Sequence, residues 1–172
     1  ADDYLSTQLR VQELFAKFKS SVVRVKATRE QEVKGKTKRL LKMGSGFFAS
    51  KDGHVLTTGL LPNADRVWIE YNKEYYLAES LGSDTLCNLS LLKTYKKPES
   101  FNFISFSAND NPVLPGSFLL GLTFALEFQI SPTIGIMQSS ESTFGRNLFP
   151  TKMFRTSLAL GPGEVGAPVF DL

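Results

Sequence analysis

The sequence predicts an all-β protein made of two antiparallel β-barrels in succession, with one short helix ahead of the first. Three observations lead there. Short β-prone runs recur between turn formers at the spacing of barrel or sandwich strands. They fall into two sets, divided by the Pro- and Asn-rich stretch Ser107 to Pro115. A helical period is carried by one segment, Val11 to Lys19.

In that segment Val11, Leu14, Phe15 and Phe18 recur at helical spacing with charged residues on the other face, which predicts an amphipathic helix over about 9–20. From Val22 to Ala27 the residues turn β-branched with partial alternation, the mark of a strand buried on one face. A basic run follows, with Arg29, Lys34, Lys36, Lys38, Arg39 and Lys42 offset by Glu30 and Glu32, and reads as a solvated loop. Further strands are expected at Gly46 to Ser50, Val55 to Thr58, Arg66 to Tyr71, Glu74 to Leu81 and Leu89 to Thr94. Lys51-Asp52-Gly53, Pro62-Asn63 and Gly82-Ser83-Asp84 read as the turns between them. These strands make a first barrel over about 21–100. After a linker over about 101–115, Phe118 to Leu122, Phe128 to Gln138, Met153 to Thr156 and Pro168 to Phe170 make the second, over about 116–172.

With 172 residues, 42% of them hydrophobic, the chain can bury a sizeable core and is expected to be globular. No stretch approaches the ~18 apolar residues of a membrane-spanning helix. Ala1-Asp2-Asp3-Tyr4 carries no leader features and would suit either a mature N-terminus left by secretory cleavage or an arbitrary boundary. One cysteine, Cys87, and one histidine, His54, leave no set for a zinc site or a multi-histidine centre, so no metal or cofactor is expected. The net charge of +3 is mild and sits largely in the basic run. That run has no interleaved aromatics to stack bases, so nucleic acid is not an expected partner.

Three separated segments resemble the HtrA (Deg) family of trypsin-like serine proteases, in the family's order. The first is Gly44-Ser45-Gly46-Phe47-Phe48 with Asp52-Gly53-His54-Val55-Leu56-Thr57-Thr58-Gly59-Leu60-Leu61, similar to the family's glycine-serine-glycine strand and histidine-bearing segment. The second, Gly82 to Lys93, is similar to its aspartate segment, and the third, Phe154 to Val169, to its nucleophile loop. By this resemblance the catalytic histidine, aspartate and serine fall at Leu60, Asn88 and Val165, and the backbone of Gly163 and Val165 at the oxyanion hole. The resemblance implies a chymotrypsin-like fold of two six-stranded-type barrels, the second incomplete because the chain stops seven residues after Val165. It also implies a periplasmic or otherwise extracytoplasmic location, trimers formed through the N-terminal region, and a PDZ domain following in most members. Ala167 departs from the family's second loop glycine.

Peptide hydrolysis on this fold needs a hydroxyl nucleophile, an imidazole to take its proton and a carboxylate to orient that imidazole. Leu60 and Val165 can perform neither of the first two roles, and Asn88 has no imidazole beside it. The other candidates have plain readings: Cys87 as a small buried residue at a strand start, His54 as a turn or strand-edge residue, Ser157 as a strand-end hydroxyl without a base, and Glu164 as a solvated carboxylate. The expected function is therefore that of an inactive protease homologue that binds peptides or unfolded segments, or assembles with active relatives. Tyr4, Leu5, Leu9 and Phe15 are candidates for oligomer contacts or for packing on the chain's own barrel. Two alternatives stay open: an anionic-surface binder, for nucleic acid or lipid headgroups, acting through Lys34 to Lys42, and a peptidase with an unrecognised nucleophile.

Overall fold

Alternating β-branched and small residues carry the first barrel. Strands β1 (Val22–Val33), β2 (Lys36–Phe48), β3 (His54–Thr58), β4 (Arg66–Tyr71), β5 (Glu74–Asp84) and β6 (Leu89–Thr94) close in the order β1-β2-β3-β6-β5-β4, every pairing antiparallel. Inward-pointing Val23, Val25, Phe48, Val55, Ile69 and Leu92 are each no more than 3% exposed and form its core. The computed structural model describes residues 2–59, 62–106, 111–140 and 153–172.

Helix α1 spans Asp2–Phe18, so it begins about two turns before the expected residue 9 and stops short of residue 20. Asp3 suits the positive N-terminal end of its dipole. Tyr4 and Leu5 are 86% and 54% exposed, so this first turn buries no stripe that periodicity could reveal. Lys19–Ser21 form a 3-10 turn into β1. Leu14, with Val11, Phe15 and Phe18, packs on Val22, Leu120 and Leu122, and the Phe18 and Phe170 rings stack at 4.6 Å. The helix thus covers one face of the second unit, and Phe15 packs within the chain.

That unit is, over the described residues, a four-stranded sheet in the order β10-β7-β8-β9, built from β7 (Phe118–Thr123), β8 (Ser131–Ser139), β9 (Arg155–Thr156) and β10 (Val169–Asp171). Between β6 and β7 no described residue is in a strand.

Two local expectations are corrected. The basic run is no loop: β1 and β2 pair without a break from Val22↔Phe47 to Val33↔Lys36, forming a long hairpin. Its two-residue turn places Lys34 at φ 53° and Gly35 at φ 74°, the left-handed pair that matches hairpin twist. Lys-Gly is a weaker signal for that turn than Asn-Gly, and solvated lysines hide the strand pattern. Likewise Gly82-Ser83-Asp84 is not a turn but continues β5 past an irregularity between Ser80 and Gly82, and the turn itself falls at 85–88.

Candidate functional site

The loop that resembles the nucleophile loop is held by one buried serine. Ser45 on β2 is fully buried. Its N–H donates to the Val165 carbonyl at 2.9 Å, and its hydroxyl donates to the Gly163 carbonyl at 2.9 Å while accepting from the Phe124 N–H at 2.9 Å. Its own carbonyl accepts from the Thr57 hydroxyl at 2.8 Å. One residue of the first barrel therefore ties together the loop, the end of β7 and strand β3. The approach is close enough to demand glycine. Gly166 lies at φ 96°, and a Cβ there would stand 2.1 Å from the Ser45 carbonyl oxygen; one at Gly163, at φ 84°, would stand 2.3 Å from the Leu126 nitrogen.

Val165 presents its side chain at the loop surface, 46% exposed. Among the described residues, the Gly163 and Val165 N–H groups donate no hydrogen bond. Glu164 is not a solvated carboxylate, contrary to its sequence reading. It is half-buried, accepts from the Thr123 hydroxyl at 2.7 Å and the Gly161 N–H at 2.5 Å, and so clamps its own loop to β7.

Asn88 closes the turn before β6 at φ 54°, a left-handed conformation that asparagine tolerates. Its side-chain oxygen accepts from the Gly59 N–H at 3.2 Å, immediately after β3. Leu60, the next residue, lies outside the described residues. Asn88 is thus attached to Gly59, and Val165, through Ser45, to Thr57, two residues apart at the same end of β3. Asn88, Gly59, Thr57 and Ser90 also line a cavity of about 720 Å³ in the mouth of the first barrel. Val165 is not part of its wall. Asp84 holds the preceding turn: the Cys87 and Leu86 N–H groups donate to it and keep its carboxyl below the usual carboxylate range.

Charge reinforces the junction. Arg24 is buried, pairs with Glu70 at 2.8 Å, donates to the Phe128 carbonyl and lies 4.7 Å from the Phe124 ring centre. Beside it Lys26 reaches Glu127 at 2.9 Å, Glu70 at 3.4 Å and the Tyr75 hydroxyl at 3.1 Å. Burial works against the Lys26 charge, yet its bonds to Glu127 and Tyr75 and the carboxylate of Glu70 raise its pKa. The Lys26 hydrogen bond lowers that of Glu127. Barrel strand β1 thereby grips the segment 124–128, against which Gly163 packs.

The remaining candidates fall in turns, at strand ends or on the hairpin. Cys87 sits half-buried in the 85–88 turn, not buried in a strand, because Asp84 draws that backbone into a turn. His54 opens β3 with Nδ1 2.6 Å from the Ser50 hydroxyl, which also accepts from the Asp52 N–H and organises the turn. Ser157 accepts from the Ile136 N–H at 2.8 Å, ending β9 against β8. Lys34, Lys36, Lys38, Arg39 and Lys42 lie on the hairpin, away from this junction. Sequence reasoning missed Ser45 and Arg24 as organisers. The flanking glycines of Gly44-Ser45-Gly46 were the available signal, since they permit close backbone approach.

Residues 44–172 match the trypsin-like peptidase domain family. A probable periplasmic serine endoprotease, DegP-like, of Marinomonas sp. (strain MWYL1) is 30% identical over 133 residues, 76% of this chain and 27% of that protein. Its counterpart in Pseudomonas fulva (strain 12-X) is 28% identical over 144 residues, 80% of this chain and 28% of that protein. This chain therefore spans little more than a quarter of the length of these curated relatives. Among solved structures, the HtrA-type protease AlgW with a tripeptide superposes with a TM-score of 0.78 at 18% identity, over 94% of this chain and 50% of that one. The serine endoprotease from Yersinia pestis gives 0.72 at 20% identity, over 94% and 53%.

Proposed function

This chain belongs to the trypsin-like peptidase domain family, with HtrA-type proteases as relatives, and on that premise we propose that it is a catalytically inactive homologue acting as a peptide- or protein-binding, scaffolding or regulatory module. The observation that supports this reading is Val165, which by the resemblance falls at the nucleophile position: its isopropyl group is half-exposed at the surface of a loop locked by Ser45 and Glu164. A saturated hydrocarbon side chain has no lone pair with which to attack a carbonyl. Asn88 spends its acceptor on the Gly59 N–H and cannot supply the negative charge that stabilises an imidazolium. Leu60 has nothing to titrate.

Apolar residues at these positions make the surface around the loop more apolar, and β9 and β10, the outer strands of the sheet among the described residues, offer backbone groups for an extended chain. AlgW has been solved with a tripeptide and with a decapeptide, which favours peptides and unfolded segments as the ligand class here. The periplasmic naming of the relatives supports an extracytoplasmic compartment. Exposed Tyr4, Leu5 and Leu9 would serve contacts in a homo-oligomer, a trimer by resemblance, or with related active proteases.

The test pairs turnover with binding. Fluorogenic casein should show no hydrolysis above buffer, while a fluorescein-labelled peptide of denatured casein binds saturably by anisotropy. Val165→Asp should weaken that binding about tenfold, since a carboxylate would be desolvated under the peptide. Hydrolysis that survives repurification and stops with a serine-directed inhibitor would establish a peptidase with another nucleophile and end this reading.

A further inference from the structure

Strands β1 and β2 leave the barrel together. β1 pairs with β4 only over Arg24 to Thr28, and β2 with β3 only at Phe47 and Phe48, whereas β1 and β2 stay paired out to Val33↔Lys36. From Arg29 to Leu40 the two strands have no other strand partner among the described residues, and at the ribbon's base the Glu30 N–H donates to the Asp65 carboxylate. Residues 29–42 are all exposed or half-exposed. They carry six bases and two acids, a net +4 against +3 for the whole chain, so everything outside the ribbon sums to −1.

The register sorts those charges. Residues opposite one another in an antiparallel pair share a face. One face holds Thr28 with Leu41, Glu30 with Arg39 and Glu32 with Thr37, so both acids lie there, and Glu30 is paired to Arg39 at 3.1 Å. The other, continuing the line of Ala27, holds Lys42, Arg29 with Leu40, Gln31 with Lys38, and Val33 with Lys36. That face has four bases and no acid, with Leu40 and Val33 between them. Arg29 also donates to the Pro62 carbonyl, while the three lysines form no ion pair among the described residues.

We propose that this acid-free face of the ribbon docks on an anionic lipid bilayer, its lysines meeting headgroup phosphates and Leu40 entering the interfacial layer between them. Apolar side chains flanked by lysines match such an interface, which takes up both charge and hydrocarbon. A nucleic acid would leave Leu40 and Val33 without a use, and the ribbon has no aromatic side chain for bases to stack on. Each base near an anionic surface is worth roughly fivefold in partitioning, and added salt erases the effect. This inference is independent of whether the protein binds peptides.

Co-sedimentation of the full chain with vesicles tests it, comparing pure phosphatidylcholine with a mixture containing phosphatidylglycerol. Binding is expected to the anionic vesicles alone and to disappear in about 0.5 M salt, where the screening length falls to about 4 Å. Lys36→Glu with Lys38→Glu should lower partitioning by on the order of a hundredfold or more. Both positions are exposed, and an unchanged melting curve verifies the fold. Leu40→Ser should weaken binding severalfold, and Leu41→Ser, on the acid-bearing face, should not. Equal uptake by neutral vesicles, indifference to the double substitution, equal effects at Leu40 and Leu41, or binding to polyuridylate or polyglutamate without vesicle uptake would each overturn the proposal.

Discussion

Ser45 is the residue on which the junction turns. Replacing it by alanine removes one hydroxyl but strands the buried Gly163 carbonyl and the partly buried Phe124 N–H. An unsatisfied buried polar group costs about 1–3 kcal/mol. Ser45→Ala is therefore expected to destabilise the protein by about 2–4 kcal/mol, read as a lower urea midpoint with an unchanged slope. Partial compensation by water entering the vacated site would bring the loss to the low end. Val165 offers the contrast. It is half-exposed, its backbone bond to Ser45 does not depend on its side chain, and its truncation should leave stability nearly unchanged.

At the scale of elements, strand β1 and the segment after β7 are joined by Lys26 and Glu127. The Glu127 pKa is lowered on folding, so its contribution is present above the ordinary carboxylate value of 4.5 and fades as pH falls through the lowered one. That of Lys26 is raised, so its contribution is full below the ordinary 10.5 and fades only as pH rises past the raised value. The pair thus supports the fold from about pH 5 to about pH 10. Glu127 is 63% exposed, which limits its worth to about 0.5 kcal/mol. Glu127→Gln should cost about that much at neutral pH and progressively less as pH falls through the lowered carboxylate pKa, a trend measurable by urea unfolding across a pH series.

At the scale of the molecule, three separate contacts bind the first barrel to the second unit. Ser45 grips the 163–165 loop, Arg24 and Lys26 grip 124–128, and Val22 joins Leu14, Leu120 and Leu122 in one core beneath α1. None could break without exposing buried apolar or charged groups, so the chain should unfold as one cooperative unit. Fluorescence of Trp68, the only tryptophan, reports on β4 of the barrel, while circular dichroism at helical wavelengths reports on α1 against the second sheet. The two curves should coincide. Separate midpoints would mean that the contacts across the junction are weaker than their geometry implies.

The sequence by itself determined the all-β class and the helix at the N-terminus, because these rest on local period, and the family through the resemblance of three separated segments. Strands Arg66–Tyr71 and Leu89–Thr94 were legible to the residue, since turn formers bound them on both sides. That Leu60, Asn88 and Val165 stand where the family carries its triad is an expectation of the resemblance, which rests on residue types alone. Only the tertiary structure decided that the basic run is a paired ribbon with its acids on one face, since a solvated hairpin lacks the half-buried alternation that betrays a strand. It alone revealed that Glu164 is bound and that Cys87 lies in a turn. The role of Ser45 was equally hidden, because hydrogen bonds spanning 79 and 118 residues leave no trace in local sequence. Such partners are chosen by packing, which acts between segments that the linear order keeps apart.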